Sequence, residues 1–246
     1  IWLGSFIANA PHLIDTSSQL PYAKAALVGA LAATINTRIQ ALYAHELYQK
    51  YIGTIGITSA QKVLNLVFKV LLLPSLLNIA LLITLYCIGG YITLTFENIA
   101  QTWISGALAD FHGYFVIIPL VTSWLNNTHF KHYSTFNHKD AFAFLGLAIL
   151  LLVSINWIAS SIYLLLALGV LVAIYRGPLQ ASVFILSVSL SLTYATAQNI
   201  GPFSIENDFN TFLSLLMFIF CLGLSMHLLT AKNTELQNAY AGLERQ

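Results

Sequence analysis

Long apolar runs with few charges constrain this chain more than any other feature of its sequence. A transmembrane helix needs roughly 20 consecutive, mainly apolar residues, and seven segments of the chain approach or meet that requirement. They span residues 21–43, 74–95, 99–124, 140–156, 158–176, 178–198 and 209–232. The opening residues IWLGSFI are typical of the end of a further helix. We therefore expect about seven full spans, a partial N-terminal span, and additional residues upstream.

The scarcity of charge argues against a water-soluble domain. Of 246 residues, 58% are hydrophobic and only 8% are charged, whereas about a quarter of the residues of a soluble domain are charged. A large soluble core would need a charged surface that this chain cannot supply. The net charge of +1 gives no basic patch for nucleic acid. The composition therefore predicts an all-α, polytopic helical bundle whose main partner is the lipid bilayer.

Residues 57–73 differ from the spans in their pattern. Ser59 is placed to cap a helix, and the two lysines of the segment lie away from its apolar face. That face carries Val63, Leu66, Val67 and Val70. The pattern is typical of a helix that lies on the membrane surface, and we expect Pro74 to turn the chain inward after it.

Basic residues predict the orientation of the chain. If the C-terminus is cytoplasmic and the chain is threaded backward through seven spans, nine of its 10 Lys and Arg residues fall on the inner side. Only Lys24 falls outside, as the positive-inside rule requires. The inner set is Arg38, Lys50, Lys62, Lys69, Lys131, Lys139, Arg176, Lys232 and Arg245. We therefore predict that 125–139 and the C-terminus are cytoplasmic, while 199–208 faces out.

The last span changes to polar, helix-favouring sequence near residue 230. Leu229, Leu236 and Leu243 are spaced by seven, with Ala239 between the last two. This heptad spacing predicts a coiled coil and hence a homodimer, although a solvated helical tail is the alternative. The pattern divides the chain into a transmembrane domain, 1–230, and the start of a cytoplasmic helix, 231–246. Such a helix suits a receptor because it can carry rotation or displacement to a domain beyond the membrane.

Several stretches resemble a known family, the bacterial membrane-associated sensor domain of the first MASE type. The most specific stretch, TWISGALADFHGYFVIIPLVTSW at 102–124, contains Trp103, Asp110, Gly113, Pro119 and Trp124. Further similarity lies in IWLGSFIAN at 1–9, the basic-glycine turn at 176–177 and the outer-loop motif at 201–203. The resemblance implies signal input to a histidine kinase or diguanylate cyclase in the bacterial inner membrane, without naming the signal. We expect that signal to be a small molecule, a lipid-phase cue or a partner membrane protein.

Two other functional classes remain open. A fragment of a secondary transporter would show paired broken helices in two related halves, and no such symmetry is visible in the sequence. A haem-bearing electron carrier would need axial ligands, and His112 and His227 both lie in predicted spans. No phosphate-binding loop, Ser/His/Asp set or His-Glu-x-x-His motif is present, so we predict no enzyme, metal or cofactor in this segment.

Asp110 is the most informative single residue because an ionised carboxylate inside a membrane costs several kcal/mol. Residues three and four apart share a helix face, so Gly106, Asp110 and Gly113 lie together, with Trp103 one turn further out. Small residues allow a second helix to approach closely. The carboxyl therefore either holds two helices together or takes part in sensing. His112 points to a different face and is predicted to be a hydrogen-bonded core histidine or a sensing residue.

The predicted partner of Asp110 is Asn36. At 1.5 Å per residue, Asp110 lies about 16 Å and Asn36 about 22 Å from the outer ends of their helices. Arg38 lies deeper, at about 26 Å, and we expect its side chain to extend to the cytoplasmic face.

Overall fold

The computed structural model describes residues 22–53, 56–88, 95–125, 162–200, 202–203 and 208–243. Within these ranges the regular structure is entirely helical, as the sequence predicted. The α-helices are α1 (Tyr22–Tyr51), α2 (Ala60–Asn65), α3 (Leu73–Ile88), α4 (Phe96–Leu125), α5 (Ile162–Tyr175), α6 (Pro178–Ala197) and α7 (Asp208–Leu243). A π-helical segment, Leu66–Leu72, joins α2 to α3.

The chain forms two compact units. Unit 1 comprises 1–51 and 68–111, and unit 2 comprises 52–67 and 112–246. In unit 1, α1 packs against α3, and Ile79, Ile83 and Ala107 form a small buried cluster between α3 and the first part of α4. This cluster brings apolar side chains of the two helices together.

Unit 2 has the larger core. Its helix α7 packs against α2, α5 and α6, and α5 also packs against α6. The core includes Phe184 and Ile185 of α6 and Ile219, Leu222 and Met226 of α7, all at most 2% exposed. Three helices of unit 2, α2, α5 and α6, therefore pack against one long helix.

Local sequence signals set several helix ends. Ser59 caps α2 by accepting a hydrogen bond from the Lys62 N–H at 3.2 Å. Pro178 opens α6 directly after Gly177, whose φ of 92° is readily adopted only by glycine. Asn199, with φ 54°, ends the same helix, and the Ile200 N–H returns to the Ala195 carbonyl at 2.9 Å. The cap at Ser59 is confirmed, and the predicted span ends at 176 and 198 agree with the helix ends to within one residue.

The predicted separation of a surface helix from a following span is wrong, because the helix continues through Pro74. One helical stretch, Ala60–Leu85, is long and apolar enough to cross a membrane. Proline lacks an N–H and its ring crowds the carbonyl four residues earlier, and the wider π turns just before Pro74 accommodate that ring without ending the helix. The shared apolar face is confirmed: Val63, Leu66, Val67 and Val70 are at most 2% exposed.

In the part of the chain that the structure describes, four helices are long and apolar enough to span a membrane. They are Ala60–Leu85, Ile99–Leu125, Pro178–Ala197 and Asn210–Leu243. The last three correspond to predicted spans, and the first overlaps the predicted span 74–95 only in part. The predicted span 21–43 is helical but interrupted by polar residues, and the 158–176 span is represented by the apolar helix Ile162–Tyr175. The 140–156 span lies outside the described residues. The count of seven spans stays a prediction.

Candidate functional site

Three helices of unit 1 meet at the carboxyl group of Asp110. Asn78 of α3 donates its Nδ2–H to Asp110 Oδ2 at 2.7 Å. The Gln40 side chain of α1 also interacts with this carboxyl. Asn78 and Gln40 are 8% and 7% exposed, so both amides sit almost wholly inside unit 1. The carboxyl group is thus hydrogen-bonded to one buried amide and interacts with a second, and these polar contacts link the three helices.

The face of α4 that carries Asp110 contacts α3 at two further positions. Trp103 donates its Nε1–H to the Leu76 carbonyl at 3.0 Å. A Cβ at Gly106 would lie 3.2 Å from the Ile79 side chain, so the two helices approach closely there. The predicted grouping of Trp103, Gly106 and Asp110 on one face is confirmed.

Gly113 does not belong to this close approach. A Cβ at Gly113 would have no neighbour within 4 Å among the described residues. The prediction that Gly113 takes part in helix packing therefore stays a prediction.

Asn36 was predicted to pair with Asp110, and the structure gives that role to Asn78. Asn36 is 8% exposed, and its Oδ1 has no hydrogen-bond partner within the described part of the chain. Arg38 is exposed, and the extension of its side chain to the cytoplasmic face stays a prediction. Sequence reasoning missed Asn78 and Gln40. The available signal was that both are amides inside largely apolar helical stretches, and that Gln40 follows Asn36 by one helical turn.

A cleft of about 260 Å³ lies between α1 and α3. Its walls are mainly apolar, and its polar groups are the side chains of Gln40 and Asn78, with the Tyr43 side chain nearby. Asn78 is hydrogen-bonded to Asp110 and Gln40 interacts with it, so a molecule that fills the cleft would lie against both of these side chains. The cleft is lined by Ile39, Gln40, Tyr43, Pro74, Leu77, Asn78 and Leu81.

The two span histidines of unit 2 have different surroundings. His112 lies 3.0 Å from Ser189 Oγ of α6, through its Nε2, which fits the predicted hydrogen-bonded core histidine. His227 of α7 is 6% exposed and meets the Phe115 ring edge-on, with centroids 5.7 Å apart. Among the described residues, no group of three or more His, Cys, Asp or Glu side chains is placed to hold a metal ion. His129, His132 and His138 lie outside that part of the chain.

Helix α7 runs without interruption from apolar to polar sequence. Its 36 residues give a length of about 54 Å at 1.5 Å per residue, whereas the hydrocarbon core of a bilayer is about 30 Å thick. The helix therefore extends well beyond any single crossing, and the prediction that it continues straight out of the last span is confirmed.

Polar contacts join the last third of α7 to two neighbouring segments. Glu235 Oε1 accepts the Ala60 N–H at the start of α2, at 3.0 Å, and its Oε2 lies 2.6 Å from Lys232 Nζ. Asn233 Nδ2 lies 3.5 Å from the Ile174 carbonyl at the end of α5. Movement of α7 at this level must therefore change its contacts with α2, α5 or both.

Beyond Glu235, α7 exposes an apolar stripe. Leu229 packs partly buried against the core of unit 2, but Leu236 and Leu243 are 52% and 67% exposed. Tyr240, which the heptad analysis missed, is 67% exposed and completes the four-then-three spacing from Leu236 to Leu243. The exposed apolar side chains of this segment are therefore Leu236, Tyr240 and Leu243, rather than all three predicted leucines.

Comparisons with known proteins agree with this architecture. A family model described as MASE1 matches residues 1–237, which is nearly the whole chain. No curated protein and no solved structure matches. The match covers the apolar helices, the Asp110 network and α7 as far as Gln237. The chain belongs to the MASE1 family of membrane-associated sensor domains.

Proposed function

We propose that this domain receives a signal in the bacterial inner membrane and passes it along α7 to a cytoplasmic output module, a histidine kinase or a diguanylate cyclase. The observation that carries the proposal is the continuity of α7 from the core of unit 2 to its exposed polar end. The distribution of basic residues supports a cytoplasmic C-terminus. Catalysis belongs to the output module, and the segment itself has no enzymatic role.

The cleft in unit 1 is the place where a signal acts on the domain. A small, mainly apolar molecule with one hydrogen-bonding group fits its apolar walls and its two amides. Binding there would compete with Asp110 for Asn78 and Gln40 and would thereby alter the link among α1, α3 and α4. The carboxyl group is thus the sensing element, and Trp103 and Gly106 position it against α3.

Output requires two copies of the domain. The exposed stripe of Leu236, Tyr240 and Leu243 has the spacing of a coiled-coil interface. A second copy would cover these apolar side chains, and a rotation of α7 in each copy would then change how the output modules face each other. The family match ends at 237, so Tyr240 and Leu243 of this stripe lie beyond the matched residues.

Disulfide cross-linking tests this proposal. In full-length protein without Cys87 and Cys221, Leu236→Cys should cross-link to a second copy on oxidation and hold output at one level. Asn238→Cys is the control, because it lies about 200° around the helix from Leu236 and should cross-link far less. If neither variant forms a covalent dimer and oxidation leaves output unchanged, the proposal is wrong.

A further inference from the structure

A small cavity lies beside His227 in unit 2. It offers about 10 Å³ to the centre of a water-sized molecule, which is close to the room that one water requires. Its lining combines apolar atoms with three hydroxyl groups and one imidazole. The lining residues are Ile57, Pro119, Thr122, Ser123, Pro178, His227 and Thr230.

The Nε2 atom of His227, at this cavity, has no hydrogen-bond partner in the part of the chain that the structure describes. His227 is 6% exposed. A buried polar atom without a partner is unfavourable, and buried waters commonly supply the missing bond. The imidazole therefore favours a molecule that can hydrogen-bond, rather than an apolar one.

The hydroxyl hydrogens of the neighbouring threonines are already engaged in hydrogen bonds. Thr122 Oγ1 donates to the Ile118 carbonyl at 2.9 Å and approaches the Pro119 carbonyl at 3.1 Å. Thr230 Oγ1 donates to the carbonyl of His227 at 3.0 Å. The hydroxyl oxygen of each of these two threonines can still accept a hydrogen bond, but it cannot donate one to the imidazole. Water has two O–H donors and two acceptor sites, so it can bond to Nε2 and also donate to a threonine oxygen.

We propose that this cavity binds one water molecule, hydrogen-bonded to His227 Nε2 and to the hydroxyl oxygen of Thr122 or Thr230. The site joins α7 to the second part of α4 near the start of α6. Most core contacts of α7 are close apolar contacts, as with Phe115 and Ile185. A water bridge differs because its hydrogen bonds can break and re-form. The bridge gives α7 a replaceable polar contact a little more than two turns before its contact with Ala60, a property that goes beyond the proposed function.

Solid-state NMR on the full chain in lipid bilayers tests the site. The protein is labelled with ¹⁵N-histidine, and the His227 resonance is identified by its loss in His227→Gln. We expect magnetisation transfer from water to this buried ring. The transfer should fall several-fold when Thr122→Val and Thr230→Val are combined, and it should be unchanged in the control Thr193→Val on the exposed side of α6.

Two results would overturn the proposal. The first is absence of water transfer to His227 in the wild-type protein while the exposed His45 shows it. The second is transfer of wild-type strength in the double valine variant. The wild-type measurement stands by itself if the double variant does not fold.

Discussion

Alanine substitutions at three glycines measure how tightly α7 is held in unit 2. At Gly223 of α7, a Cβ would lie 2.5 Å from Cε1 and 3.0 Å from Cζ of Phe115. Phe115 is 0% exposed, so its ring has little room to move. Overpacking of this kind costs about 1–3 kcal/mol, and the better helix propensity of alanine returns at most about 1 kcal/mol. We expect a net loss of roughly 1–2 kcal/mol for Gly223→Ala.

The other two glycines provide graded controls. At Gly169 of α5, the added Cβ would meet Leu222 Cδ1 at 2.8 Å and Met226 Sδ at 2.9 Å. Because these are the ends of side chains with more freedom than a phenyl ring, Gly169→Ala should cost less. Gly113→Ala meets nothing within 4 Å in the described residues, so it should be neutral or stabilising by up to about 1 kcal/mol.

Reversible unfolding in lipid bicelles, followed by steric trapping, gives the three free energies of unfolding. The expected order of stability is Gly113→Ala, then Gly169→Ala, then Gly223→Ala. The reasoning is refuted if Gly223→Ala is as stable as Gly113→Ala, because α7 would then not be packed against the Phe115 ring.

Three further predictions concern the sensing carboxyl, the topology and the contact between α7 and α2. Asp110→Asn should preserve folding, because an amide can still hydrogen-bond to its neighbours, but it should shift or lock output. Asp110→Leu should also weaken helix packing. Wild-type output from both variants would remove this residue from the mechanism. In a background without native cysteines, Gln198→Cys should react with an impermeant thiol reagent on intact cells and Gln237→Cys should not; the opposite pattern would invert the topology. Glu235→Ala should speed hydrogen exchange at the Ala60 amide, with Glu235→Gln intermediate, and unchanged exchange would show that the contact contributes nothing to the stability of this turn.

The helices could be predicted from the sequence because they depend on residues that are close together in the chain. Apolar runs of membrane-spanning length need no knowledge of neighbouring helices, and the cap at Ser59 and the breaks near Gly177 and Asn199 depend on a few consecutive residues. Pro74 misled the prediction, because proline usually ends a helix but here follows π-helical turns. Such turns have no distinctive sequence pattern, so the continuous helix was not foreseen.

The polar contacts around Asp110 could be predicted from the sequence only in part. The α4 face with Trp103, Gly106 and Asp110 follows from helix periodicity within one segment. The partners of Asp110 depend on the rotation of α1 and α3 about their own axes, which a depth estimate along the helix does not provide. Asn36 and Asn78 carry the same chemistry, and only the packing of the three helices distinguishes them. Likewise, the spacing of the leucines in α7 did not reveal that Leu229 packs against the core while Tyr240 is exposed.

The proposal that α7 passes the signal to the output module is tested most directly by changing the helical phase between the two, that is, the rotation of the output module about the axis of α7. Within the described ranges, Glu235 makes a hydrogen bond from this helix to the start of α2, and insertions between Gln237 and Asn238 leave that bond intact. Four added helical residues rotate everything downstream by about 40° and interrupt the heptads, whereas seven restore the heptads and return the direction to within about 20°. In the full-length protein, four should break or lock output, and seven should largely restore it. Equal output from the two insertions would show that α7 is a passive tether and would contradict the account.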